Sequence, residues 1–408
     1  MRFKYVCSDC GHEFTSPDIV YQCPVCAGTN PPGTFARGNL SVIYDPDDLK
    51  SAAQREVVDF RDFFPYPVVQ AEAYPVGNTP LVRPAALSRK YGARNLWLKL
   101  DSALPSGSFK DRASQLVAAQ AVFFGEKRIA LASTGNAGAA MSCAGAAYGL
   151  DIILFVPQSA PVNKLMQSVL YGATVVPVKG TYDDAFALSI EYTRRFGGIN
   201  RNTAYNPMTI EGKKSVSIEL FAQMGRKVPD IVYVPVGDGC IIAGVYKGFY
   251  DLYSAGVIDR IPALVCCQSS GSDAISRAFE SGSFDDIPAA TTRADSISVE
   301  SPANGRMAVR CIRESGGHTC VVTDEEIFAA QLELASEAGV FVEPAAACAW
   351  AGFVKDRTCT SVTPPGPEPS ACVLLTGTGF KDMKAFDGRI SIPPAIDNSV
   401  QAMIRRFS

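Results

Sequence analysis

The chain has 408 residues, 47% of them apolar and 19% charged, with 38 Lys and Arg against 41 Asp and Glu for a formal net charge of −3. That length allows two or three domains around a large buried core. The balanced charge gives no electrostatic footing for nucleic acid or an anionic membrane as partner, and two histidines leave little material for a histidine-run acid–base centre.

The first residues, Met1 to Cys7, hold no apolar core of signal-peptide length, so no secretion signal is expected. Cys7-x2-Cys10 and Cys23-x2-Cys26 follow, twelve residues apart. Each pair has the spacing of a tight turn that aims two thiolates at one ion, and four thiolates close a structural zinc site with no open position. A knuckle that folds without metal and a redox pair are the alternatives. His12 is read as a bystander, and with only Arg2 and Lys4 nearby the knuckle lacks a basic stripe for nucleic acid. The other nine cysteines, from Cys143 to Cys372, are single or, as Cys266-Cys267, adjacent in an apolar run; this is the pattern of reduced core thiols in a cytoplasmic protein.

The knuckle is assigned to residues 1–37, with a Pro- and Gly-rich linker from Asn30 to Gly38. A connecting arm is assigned to 38–74. There Asp45 can cap, and Pro46 open, a short helix, and Phe60, Phe63, Phe64 and Tyr66 can pack on a larger body or on a second subunit.

From Pro75 onward strand-like and helix-like runs alternate. The expected strands are Asn95–Leu100, Ile129–Ala132, Ile152–Val156, Thr174–Val178, Ile231–Val236 and Ala263–Cys267. This predicts an α/β fold of mainly parallel sheets covered on both faces. The almost uncharged run from Ile129 to Pro157 has the length of a membrane span, but Ser133-Thr134-Gly135-Asn136 and the many Gly and Ala after it fit a buried strand–loop–helix–strand.

In such folds ligands gather where strand ends open onto helix starts. Four loops are candidates. Ser106-Gly107-Ser108-Phe109-Lys110-Asp111-Arg112 precedes a helical pattern. A lysine at a helix mouth near apolar walls has its amine pKa lowered by desolvation and can act as a Schiff-base nucleophile. Ser133-Thr134-Gly135-Asn136-Ala137-Gly138 offers hydroxyls and backbone N–H groups to a carboxylate, and the Asn136 amide to a phenolate-like oxygen; the alternative is a tight turn with a helix cap. Gly237-Asp238-Gly239-Cys240 lets backbone N–H groups approach a phosphate at a helix start, with Asp238 expected to point away. Thr376-Gly377-Thr378-Gly379 places a hydroxyl that can meet a ring nitrogen without protonating it, or is a strand end entering a turn.

These stretches come in one order, together with Tyr171-Gly172-Ala173, Gly180-x-Tyr182-Asp183-Asp184-Ala185, Asn206-Pro207-x3-Glu211-Gly212-Lys213-Lys214 and Glu343-Pro344-Ala345. From about Pro75 to Asp382 the chain resembles the fold-type II pyridoxal-phosphate enzymes, and most closely the threonine synthase family, some members of which also carry a zinc-ribbon-like N-terminus. The resemblance implies two open, mainly parallel sheet domains of the tryptophan synthase β-like class. The large cofactor-binding domain would comprise 75–110 and 200–408, and the small mobile domain 111–199. It implies that Lys110 carries pyridoxal 5′-phosphate covalently and then shuttles protons. Asn136 would face the cofactor's O3′. Gly237, Asp238, Gly239 and Cys240 would cradle its phosphate, and Thr376 would face its ring nitrogen. Ser133, Thr134 and Ala137 would line the site for the substrate carboxylate.

The reaction implied is O-phosphohomoserine and water to threonine and phosphate, in a cytoplasmic homodimer. The alternative is cysteate synthase, which joins O-phosphoserine and sulfite, or another pyridoxal-phosphate-dependent replacement or dehydratase enzyme. Three departures bear on the substrate side or the phosphate loop. The loop reads Gly237-Asp238-Gly239-Cys240 where relatives read G-N-G/A-G; Thr378 stands where they have histidine; and Phe186-Ala187-Leu188 lacks the arginine that relatives place just after the Y/F-D-D-A stretch.

Overall fold

Short runs dense in Ile, Val and Leu pair into three sheets, and the order of pairing decides which loops meet. The structure, a computed structural model, describes residues 1–29, 34–69, 74–285, 288–299, 301–359 and 368–408. The expected linker (Asn30–Gly38) and arm (38–74) fall partly outside these residues.

In the first sheet β1 (Phe3–Cys7) pairs antiparallel with β2 (Glu13–Phe14) on one edge and with β3 (Leu40–Tyr44) on the other. The strand that follows the expected knuckle thus closes the knuckle's own sheet. Asp45 then accepts a hydrogen bond from the Asp47 N–H and Pro46 opens the helix Pro46–Ala53, as the sequence predicts. Phe60, Phe63, Phe64 and Tyr66 are buried in one core with Leu116 and Val117 of the main body.

β4 (Leu81–Val82) and β5 (Leu96–Leu100) begin a second sheet, which the chain leaves and re-enters. The excursion builds a separate parallel sheet from β6 (Arg128–Ala132), β7 (Asp151–Pro157), β8 (Thr174–Val178) and β9 (Ile199–Asn200), in the order β8-β7-β6-β9. On its return the chain adds β10 (Ile231–Pro235), β11 (Ala263–Ser269), β12 (His318–Val322) and β13 (Ala371–Leu375). The completed sheet runs β12-β11-β10-β13-β5-β4, parallel except for β4. The run from Ile129 to Pro157 is β6, the helix Asn136–Tyr148 and β7. No helix among the described residues is long and apolar enough to cross a membrane.

β13 shows why these strands read as unbroken apolar runs. Cys372 and Leu374 face one core, Val373 and Leu375 another, and all are buried. Its insertion between β5 and β10 makes the carboxyl ends of three strands neighbours. The loops beginning at Ser106, at Gly237 and at Thr376 therefore open side by side.

The helix Lys110–Phe123 carries no polar stripe, because Asp111 through Ala121 are all buried. It packs against the helix Asn136–Tyr148 on one side and the segment Met208–Lys214 on the other. Its polar side chains must find partners inside the protein. Arg112 grips Asp101 with Nε (2.5 Å) and Nη2 (2.9 Å) and reaches Glu219 with Nη1 (2.8 Å). Lys99 Nζ donates to the other Glu219 oxygen (2.6 Å). Asp111 accepts from the Tyr74 hydroxyl (2.6 Å) and the Ser106 N–H (2.7 Å), and its burial pushes the carboxyl up to about 6. The Asp and Arg of the lysine stretch thus anchor the helix that begins at the lysine.

Candidate active site

Lys110 is the first residue of its helix and lines a pocket. Burial lowers its amine pKa, the nearby Asp238 and Glu343 carboxylates oppose that shift, and Arg201 adds to it. The lysine loop is tied to the C-terminal motif. The Phe109 N–H donates to the Thr376 carbonyl (2.7 Å), and the Thr378 N–H donates to the Gly107 carbonyl (3.0 Å). On its other flank Gly377 accepts from the Glu343 N–H (3.0 Å). A Cβ at Gly377 would stand 2.3 Å from Glu343 Oε1, so glycine here admits that carboxylate to the site.

At the opposite wall Gly237, Asp238, Gly239 and Cys240 line the pocket and lead into the 15-residue helix Cys240–Ser254. Gly239 has φ +86°, and a Cβ there would meet Ala308 Cβ at 2.8 Å and the Asn304 carbonyl at 2.9 Å. The first N–H groups of a helix have no carbonyl partner within it, so this turn presents donors and the positive end of a helix dipole. Thr376 lines the wall as a neutral hydroxyl, and the buried hydroxyl of Ser108, also in the wall, has no protein partner. An amine near an anion cradle, a neutral hydroxyl and an unmatched serine fit a phosphorylated aldehyde cofactor such as pyridoxal phosphate.

Of the loop Ser133–Gly138 only Asn136 lines the pocket. Its Nδ2 donates to both Glu343 oxygens (3.1 and 3.0 Å) and to Ser296 Oγ (3.3 Å). The Ser133 hydroxyl is turned into its own loop, where it accepts from the N–H groups of Gly138 (3.0 Å) and Gly135 (3.3 Å). Ser133, Thr134 and Ala137 are not brought against this pocket.

Asp238 also lines the pocket, where burial raises its carboxyl pKa and the charges of Lys110, Lys213 and Arg201 oppose that shift.

Sequence reasoning gave no role to Glu343, Lys213 or Arg201. Lys213 is fully buried, donates from Nζ to the Thr209 carbonyl (2.6 Å), and is pushed down to about 7 by burial. Burial raises the Glu343 carboxyl, against the pull of Asn136 and Lys110. The only sequence signal for these groups was membership of the Glu211-Gly212-Lys213-Lys214 and Glu343-Pro344-Ala345 stretches. Arg201 had none. Lys214, by contrast, is structural: it pairs with Asp251 (2.8 Å) and Glu211 (2.8 Å), and Glu211 accepts from the Tyr44 hydroxyl (2.8 Å) of β3.

The Sγ atoms of Cys7, Cys10, Cys23 and Cys26 all lie within 4.8 Å of one another. Cys10 and Cys23 are 3.8 Å apart, which matches the edge of about 3.8 Å for a tetrahedron with zinc–sulfur bonds of about 2.3 Å. His12 lies outside the cluster. The knuckle also touches the main body near the pocket: the Tyr21 hydroxyl accepts from the Asn200 N–H (2.9 Å) and its ring stacks on Tyr205 at 4.8 Å.

Comparison with known proteins places this geometry among relatives. Residues 73–377 match the family described as pyridoxal-phosphate dependent enzyme. The chain is 32% identical to the threonine synthase of Methanosarcina acetivorans over 97% of its length and 96% of the relative's. It is 34% identical to that of Methanocaldococcus jannaschii over 93% of each. Among solved structures, the processed form of threonine deaminase isoform 2 from Solanum lycopersicum superposes with a TM-score of 0.66 at 19% identity, covering 91% of this chain and 96% of that one, which is a likeness of fold.

Proposed function

The chain belongs to the pyridoxal-phosphate dependent enzyme family and, within it, to the threonine synthases, and from that membership we propose that it converts O-phosphohomoserine and water to threonine and inorganic phosphate. One arrangement supports this reading above others. The amine of Lys110 lies in one pocket with a helix-start anion cradle and the Thr376 hydroxyl, in a chain that aligns over nearly its whole length with relatives of that name.

Bound pyridoxal phosphate supplies an electron sink for the negative charge that develops on the amino acid. The chain's own residues do the rest. The backbone of Gly237, Asp238, Gly239 and Cys240 holds the cofactor phosphate, and Lys213 offsets the charge that Asp238 adds beside it. Asn136 holds the ring oxygen. Thr376, a neutral hydroxyl, leaves the ring nitrogen without a full positive charge, which suits elimination and replacement. Lys110, its amine pKa lowered by burial, takes the proton from Cα and then one from Cβ as phosphate leaves Cγ; one proton is given to Cγ, which becomes the methyl group, water adds its hydroxyl at Cβ and its proton goes to the released phosphate, and the other proton returns to Cα. The substrate's own carboxylate goes to Ser133, Thr134 and Ala137. These three stand outside the pocket wall, so the reading includes closure of the small domain (111–199) onto the large one (75–110 and 200–408), with the knuckle (1–37) and arm (38–74) at its side. It also makes the enzyme a cytoplasmic homodimer, which a light-scattering mass of twice the chain checks.

The purified enzyme with O-phosphohomoserine is expected to release phosphate and threonine. Cysteate from O-phosphoserine and sulfite, with nothing from O-phosphohomoserine, would overturn threonine synthesis and leave the cofactor site intact.

The four thiolates of the knuckle hold a structural zinc ion in this reading. Cys7→Ser combined with Cys10→Ser is expected to remove zinc from the purified protein, as read by metal analysis, while sparing the visible absorbance of the bound cofactor. A wild-type protein free of zinc removes the metal from the account.

A further inference from the structure

Arg201 is a buried cation whose donors are only partly met. Its backbone N–H donates to the Ala130 carbonyl (2.9 Å) just past β9, which fixes its start at the edge of the small sheet. The neighbouring Asn200 N–H is held by Tyr21 of the knuckle. The side chain is 1% exposed. Its Nη1 donates to Thr203 Oγ1 (2.8 Å), a residue of the pocket wall. Its Nε and Nη2 donate to no protein group.

Those two nitrogens form one edge of the guanidinium, the edge that meets two oxygens of a carboxylate or phosphate in parallel hydrogen bonds. A buried guanidinium with that edge unmet is an anion site awaiting its anion. The place agrees. Through Thr203 Arg201 adjoins the pocket wall, and Tyr182, Cys240 at the helix start and Lys110 lie within range of its charge.

We propose that Arg201 receives the phosphate group of the substrate, its Nε–Nη2 edge holding two phosphate oxygens while Thr203 fixes the guanidinium through Nη1. The inference rests on the phosphorylated-substrate reading above. The cofactor's phosphate has its own seat at Gly237–Cys240, so two phosphates are bound by separate groups of one cleft.

The test is a titration of the cofactor-loaded enzyme with inorganic phosphate, followed by calorimetry. The cofactor's own phosphate is already seated, so free phosphate reports a second anion site. Arg201→Gln is expected to weaken phosphate binding about 30-fold or more while cofactor absorbance stays at the wild-type level. Arg201→Lys keeps the charge but loses the fork, and a loss of about 3- to 10-fold is expected. In turnover, KM for O-phosphohomoserine rises with the same ranking and kcat moves less. Homoserine, which lacks the phosphate, binds wild type and Arg201→Gln alike.

Three results overturn the proposal: wild type that binds no phosphate at millimolar concentrations, variants that bind it as well as wild type, or a variant that loses the cofactor or homoserine instead. If Arg201→Gln does not fold, the Arg201→Lys titration decides alone. Wild type that binds phosphate through Arg201 yet makes no threonine overturns the proposed reaction and leaves this assignment standing.

Discussion

Replacing Lys110 by alanine is expected to cut turnover by about 10³-fold or more while the protein still folds. The side chain borders the pocket at the start of a helix, so its loss leaves the three adjacent strand ends and the helix-start cradle in place. Cofactor should therefore remain weakly bound through its phosphate, without the visible absorbance of the covalently held form and without bleaching by borohydride. Turnover kept at about a tenth of wild type would take Lys110 out of the role assigned to it. Wild type offers a second check. Capture of the cofactor needs the neutral amine, and burial lowers the Lys110 pKa. Capture by the apoenzyme should stay fast well below the ordinary lysine value of about 10.4 and slow only as pH falls through the lowered value.

The second large effect lies two residues on. Arg112→Ala is expected to destabilise the protein by about 3–5 kcal/mol, because it leaves Asp101 and one Glu219 oxygen as buried carboxylate charge without its partner. Urea unfolding reads the loss as a lower midpoint, and a change under about 1 kcal/mol would mean that water or rearrangement meets those carboxylates. The network also sets a pH dependence. Burial alone would raise the Glu219 carboxyl, but Arg112 and Lys99 bring it below the usual range. Its contribution is therefore complete above the ordinary carboxylate range and is lost as pH falls through the lowered value. Arg112→Ala should flatten that acid limb.

What the sequence disclosed were features carried by local chemistry. Thr174–Val178 is a strand with the expected bounds because five apolar and β-branched residues lie between turn residues. Asp45 and Pro46 open their helix because cap and first-turn geometry depend on neighbours alone. Lys110 was legible because its stretch is contiguous. What stayed hidden was what folding brings together from afar. β4 and β9 are two residues long, too short for any period, yet just past β9 the buried Arg201 donates to Thr203 of the pocket wall. Residue type alone did not show that the Ser133 hydroxyl accepts from the Gly138 and Gly135 N–H groups of its own loop. The groups that oppose the burial of Asp238, Lys213 and Arg201 among them, lie on other segments of the chain.

The position of β13 has a consequence for how the protein is made. Its pairing residues 371–375 come near the end of the chain, yet they lie between β5 and β10 at the middle of the sheet. During synthesis at about 5–20 residues per second, β5 waits on the order of tens of seconds for the neighbour that separates it from β10. Throughout that interval the nascent large sheet carries open edges, and the lysine loop lacks the Thr376 carbonyl that ties it down. The small sheet, β6 to β9, is contiguous in the chain and can close first. The sequence order of the strands thus lets the small sheet close while the large one still lacks β13.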